Sequence, residues 1–115
     1  MKVSGWGRTE NDNYSNTLLT ANLNVRECTT ENEEHSSYQF CASHPWKSDC
    51  QGDSGGGGII DGELCGIVSY GDPNCSVGHD CVYANVRTLM PYIKMGMNMN
   101  RPRNVFSIVK LHKGY

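Results

Sequence analysis

The stretch of this 115-residue chain that could do chemistry is Asp49-Cys50-Gln51-Gly52-Asp53-Ser54-Gly55-Gly56-Gly57-Gly58. A serine set among glycines lies beside backbone N–H groups that no side chain crowds. Glycine lets the Gly52 and Ser54 amides converge on one point, the geometry that stabilises an oxyanion in acyl transfer. A phosphate loop would need Lys and then Ser or Thr after its last glycine, and Gly58-Ile59 stands there. No dinucleotide fingerprint fits either. Gly52 to Gly56 formally matches a G-x-S-x-G elbow, which requires a helix directly after the serine. Four consecutive glycines cost about 4 kcal/mol of helix propensity relative to alanine, so that reading loses. The plain alternative is a glycine-rich surface loop with an inert serine, and the elements around it must decide.

Those elements read as short strands between turn signals: Val3 to Trp6, Leu18 to Val25, Tyr38 to Ala42, Gly57 to Ile60, Glu63 to Tyr70 and Cys81 to Val86. Leu19, Ala21, Leu23 and Val25 alternate as a half-buried strand does. Asp61-Gly62 is the strongest hairpin signal, because both residues tolerate positive φ. Arg26 to Glu34 suggests a helical turn. Arg87 to about Met97 reads as the one good helix, with Leu89, Met90 and Ile93 on one side. Pro91 lies in its first turns, where a missing N–H does little harm. Six strands, frequent glycine and one terminal helix predict an all-β, small antiparallel barrel or sandwich. Residues 98–115 have no obvious place in it, although Val105 to Leu111 could form a stray strand.

The chain is one domain in length, and 37% apolar composition allows one modest core. Its longest apolar runs are a few residues, too short for a membrane span. Residues 1–93 hold five basic and twelve acidic side chains, while 94–115 hold five basic and none acidic, so an acidic body carries a basic tail. Six Cys suggest an oxidised, extracellular product. No hydrophobic stretch precedes Val3-Ser4-Gly5-Trp6, so a secretory signal is not expected in this stretch. The mismatch suggests that the N-terminal part of a longer protein is absent. Cys41-x-x-His44 lacks the second close ligand pair that a zinc site needs. Asn13-Tyr14-Ser15 and Asn74-Cys75-Ser76 both match the glycosylation pattern.

The order of motifs resembles the trypsin-like serine proteases of the chymotrypsin family. Val3-Ser4-Gly5-Trp6-Gly7 is similar to the family's SGWG strand, and Phe40-Cys41-Ala42 precedes an intact GDSGG at Gly52 to Gly56. Gly66-Ile67-Val68-Ser69-Tyr70-Gly71 resembles the strand that binds substrate backbone, and Val82-Tyr83 leads into the terminal helix. The resemblance covers about residues 3–97. It implies the second, six-stranded Greek-key barrel of a two-barrel fold over residues 1–97, with 98–115 a basic tail outside the domain.

It further implies Ser54 as the nucleophile, Gly52 and Ser54 as the oxyanion hole, and Asp53 as the acid that pairs with a freed N-terminus. Ser48, Asp49, Ser69, Tyr70, Gly71 and Cys81 would line the primary specificity pocket. Cys28 would pair with Cys41 and Cys50 with Cys75, leaving Cys65 and Cys81. The sequence departs from the family pattern at the pocket. Ser48 holds the place of the trypsin Asp six residues before the serine, with Asp49 next, and Cys81 replaces a usual Gly.

A serine hydroxyl is a weak nucleophile until a base takes its proton. The family's His and its Asp partner lie upstream of SGWG, and His35, His44, His79 and His112 match no catalytic context. The expected partners are a protein or peptide substrate and the missing barrel that carries His and Asp. No nucleic acid, membrane or cofactor is expected. Three functions follow: a secreted serine endopeptidase whose isolated fragment is inactive, a catalytically dead homologue that binds proteins, and a disulfide-stapled module whose tail docks on polyanions.

Overall fold

A computed structural model describes residues 1–28 and 37–99. Among these residues seven strands precede one helix: β1 (Lys2–Gly5), β2 (Leu19–Asn22), β3 (Asn24–Arg26), β4 (Gln39–Ser43), β5 (Gly57–Ile60), β6 (Glu63–Tyr70), β7 (Cys81–Asn85) and α1 (Val86–Met99). They form one antiparallel sheet in the order β2-β1-β5-β6-β7-β4-β3. β2 and β3 lie at opposite edges yet are separated in sequence by Leu23 alone, so the sheet must curl until its edges nearly meet. The result is a nearly closed barrel, as the sequence predicts.

The expected single strand from Leu18 to Val25 is therefore two. Leu23 breaks it, buried in the core, and its N–H and carbonyl bond the Met1 carbonyl and amine at 2.8 and 2.9 Å. Its alternation also fails on both sides of the break, since Leu19 and Val25 are exposed. Arg26 belongs to β3 rather than to a helical turn, and the rest of that predicted turn lies mostly outside the described residues, as does Val105 to Leu111.

The Asp61-Gly62 hairpin joins β5 and β6 with both residues at positive φ, 49° and 79°. Inward-facing Val3, Leu23, Ala42, Val68, Cys81 and Tyr83 make the core, with Phe40 stacked on Tyr83. α1 starts one residue before its expected position, because the Asn85 side chain accepts the Arg87 and Thr88 N–H groups as an N-cap. Val86, Leu89 and Ile93 face inward, whereas Met90 is exposed, against expectation. Pro91 is the sixth helical residue, so it forfeits the bond that the Arg87 carbonyl would have accepted.

β4 sits beside β7 while β5 sits beside β1, so the chain between them crosses the barrel end in a Greek-key connection. That connection, residues 44–56, carries the glycine-rich serine. The Cys50–Cys75 disulfide fastens it to the β6–β7 connection, and Cys28–Cys41 ties the exit of β3 to β4. Cys65 and Cys81 are free, and the β6–β7 register does not place them opposite each other.

Candidate active site

The serine loop is held from below by two β6 groups. Gly55 N–H donates to the Val68 carbonyl at 2.8 Å, and Val68 N–H donates to the Gly56 carbonyl at 2.9 Å. The β6–β7 ladder slips between Val68 and Tyr70, leaving Ser69 without a partner in β7. Its carbonyl turns to the serine instead: the exposed Ser54 Oγ donates to it at 3.5 Å. A β-bulge thus re-aims one backbone oxygen at the hydroxyl.

Within the loop, alternate amides are spent. Asp53 N–H donates to the Cys50 carbonyl at 3.0 Å and Gly55 N–H to Val68, while the Gly52 and Ser54 N–H groups meet no acceptor among the described residues. Gly52 has φ +92°, a conformation that L side chains rarely adopt, and a Cβ there would stand 2.8 Å from the Tyr14 ring.

The Asp53 carboxylate turns away from Ser54. Its Oδ1 accepts the Gly7 N–H at 2.9 Å and its Oδ2 accepts the Cys50 N–H at 3.0 Å. It fits because Gly5 and Gly7 lack side chains; a Cβ on either would overlap its oxygens. This joins the end of β1 to the serine loop across 46 residues of sequence.

Ser48, Asp49, Gly71 and Cys81 come together beside the loop. Ser48 Oγ lies 3.4 Å from Cys81 Sγ, and a Cβ on Gly71 would stand 3.6 Å from Cys81 Cα and 3.8 Å from Asp49 Oδ1. Asp49 Oδ2 accepts the Tyr83 hydroxyl at 2.6 Å. Burial raises the Asp49 carboxyl above its usual range, against the lowering effect of bonds from Tyr83 and Cys81. Burial also pushes up the Cys81 thiol and the Tyr83 phenol, the latter further because it donates to Asp49. Tyr83 carried no assigned role in the sequence. Its spacing from Cys81, two residues along one strand, was the available signal that both share a face.

Not every predicted residue lines one cavity. A groove opens among Gly5, Gly7, Ser48, Asp49 and Asp53, and Ser54, Ser69, Tyr70, Gly71 and Cys81 do not line it. Neither described histidine is within hydrogen-bond distance of Ser54 Oγ; His44 Nδ1 accepts the Trp46 N–H at 3.1 Å in its own turn.

Comparison with known proteins gives a match to the Trypsin family model over residues 1–93. A trypsin from Phaedon cochleariae is 31% identical over 102 residues, covering 81% of this chain and 40% of that protein. Seminase from Drosophila melanogaster is 37% identical, covering 84% of this chain and 38% of that protein. Granzyme-like protein 2 from Rattus norvegicus is 36% identical, covering 84% and 41%. The chain spans about two-fifths of the length of these relatives.

Proposed function

Because the chain belongs to the trypsin family, we propose that it carries the nucleophile of a serine-type endopeptidase, at Ser54. Ser54 Oγ attacks the carbonyl carbon of a peptide bond while a base takes the hydroxyl proton. The tetrahedral adduct collapses with loss of the amine, to which the base returns the proton, and water then releases the acyl group. The observation that carries this reading is the pair of amides, Gly52 and Ser54 N–H, left without acceptors beside an exposed hydroxyl. Donors of this kind stabilise the oxyanion, and losing one costs about 10²–10³-fold in turnover in subtilisin.

The base and its carboxylate partner come from polypeptide outside these 115 residues, in a barrel that completes the cleft. The short coverage of the relatives supports this, as does the lack of a described histidine at Ser54. In subtilisin, which has the same triad geometry on another fold, removal of the base lowers kcat by about 10⁶-fold. The 115-residue chain alone is therefore inactive.

Asp53 links activation to the loop: in the working enzyme its carboxylate meets a freed terminal amine in the groove beside Gly5 and Gly7. Ser48, Asp49, Ser69, Tyr70, Gly71 and Cys81 shape the substrate pocket, with Cys81 narrowing it. Two disulfides favour an oxidising, extracellular setting.

The test is peptide hydrolysis by the chain alone and by the longer protein that contains it, activated by cleavage. Hydrolysis by the longer protein, lost in Ser54→Ala, supports the reading. A cleaved, folded longer protein that binds peptides but turns none over favours the catalytically dead binding module.

A further inference from the structure

We propose that Asn13 is an N-glycosylation acceptor and that Asn74, in the second matching sequence, is not. The proposal does not rest on catalysis by Ser54. Asn13-Tyr14-Ser15 lies in the loop between β1 and β2, closed by an isolated bridge between Arg8 and Tyr14. Asp12 N–H donates to the Thr9 carbonyl at 2.9 Å, and Thr9 N–H donates to the Asn13 carbonyl at 3.0 Å. These bonds hold the loop through its backbone. The Asn13 side chain is exposed and its carboxamide makes no hydrogen bond among the described residues, so a sugar added there displaces no protein hydrogen bond. Arg8, Thr9, Glu10 and Asp12 line the groove beside Asp53, and Asn13 does not.

Asn74 is exposed too, and its carboxamide likewise makes no hydrogen bond among the described residues, but the surroundings of Asn74-Cys75-Ser76 differ. Cys75 is disulfide-bonded to Cys50 and has φ +55°. Ser76 N–H donates to Asp72 Oδ2 at 3.0 Å, closing a tight turn around the acceptor. Asn74 also lines the groove that holds Asp53, where a branched sugar would stand against the Cys50–Cys75 bridge. The disulfides themselves point to synthesis in the oxidising compartment where glycan transfer occurs.

The reaction is a group transfer with a lipid-diphosphate-linked oligosaccharide as donor. The Asn13 Nδ2 forms a bond to C1 of the reducing-end sugar, and the C1–O bond to the diphosphate breaks. The lipid diphosphate leaves with the electron pair, and the amide nitrogen gives its proton to a base of the transferase.

The experiment directs the full 115-residue chain into the secretory lumen of insect cells and treats both secreted and retained pools with an N-glycan-removing amidase. Reading the retained pool as well keeps the test independent of folding or export. The expected result is a single-glycan mobility shift, with the deglycosylation mark mapped to residue 13. Asn13→Gln and Ser15→Ala abolish the shift, Ser15→Thr keeps it, and Asn74→Gln leaves it unchanged. No shift in the unmodified chain, or a shift that survives Asn13→Gln, overturns the assignment. A second glycan, lost in Asn74→Gln, overturns the exclusion of Asn74.

Discussion

Tyr83, fully buried in β7, donates its hydroxyl hydrogen to Asp49 Oδ2 at 2.6 Å and so ties the barrel core to the base of the serine loop. Tyr83→Phe keeps the ring packed on Phe40 and removes only that donor. A half-buried carboxylate loses a partner, at a cost of about 1–3 kcal/mol. Urea unfolding of the oxidised chain should show a lower midpoint with an unchanged slope.

Asp49 also sets a direction for stability against pH. Burial raises its folded value above the ordinary 3.8, so the folded chain holds the proton more tightly than the unfolded one. Its contribution is fully present below 3.8 and is lost as pH climbs through the raised folded value. Asp72 acts oppositely: bonds from Ser76 lower it, so its contribution fades as pH falls. The difference between Asp49→Asn and the unmodified chain isolates the first effect. That difference should move in favour of Asn as pH rises from 3 to 7, measured by denaturant titration at each pH.

Asp53 holds the Gly7 and Cys50 amides together. Asp53→Ala leaves both without that acceptor and should cost about 1.5–3 kcal/mol, the range for hydrogen bonds to a charged group. Gly7→Ala attacks the same contact from the other side, because its methyl meets the carboxylate. The double variant should fall short of the sum of the singles, as expected for residues in contact.

The Cys50–Cys75 bridge closes a loop over a separation of 25 residues. In the chain-entropy relation, removing it with paired alanines should cost about 3.5 kcal/mol, against about 3 for Cys28–Cys41. Thermal unfolding of the two double variants checks the order.

Much of this was legible in the sequence because it is local. Asp61-Gly62 fixes its hairpin through the φ values of two residues, and β5 and β6 follow at their expected limits. The motif order placed the serine loop and both disulfides. What was hidden depends on the barrel closing. Leu23 breaks a well-alternating strand because the sheet's edges meet there, which no local pattern records. Met90 points outward although its spacing suits the inner face, because the covered side of α1 is the one that carries Val86, Leu89 and Ile93. The Tyr83–Asp49 and Gly7–Asp53 bonds span 34 and 46 residues, so only the folded chain brings those groups together.

The most direct measurement is covalent labelling by a fluorophosphonate, read by mass spectrometry of the peptide that contains residue 54. The longer protein, activated by cleavage, should carry one adduct on Ser54 Oγ, and neither the 115-residue chain nor Ser54→Ala in the longer protein should carry any. Equal labelling of the isolated chain would contradict the need for a base from outside it. An adduct on any other residue of the active protein would contradict Ser54 as the nucleophile.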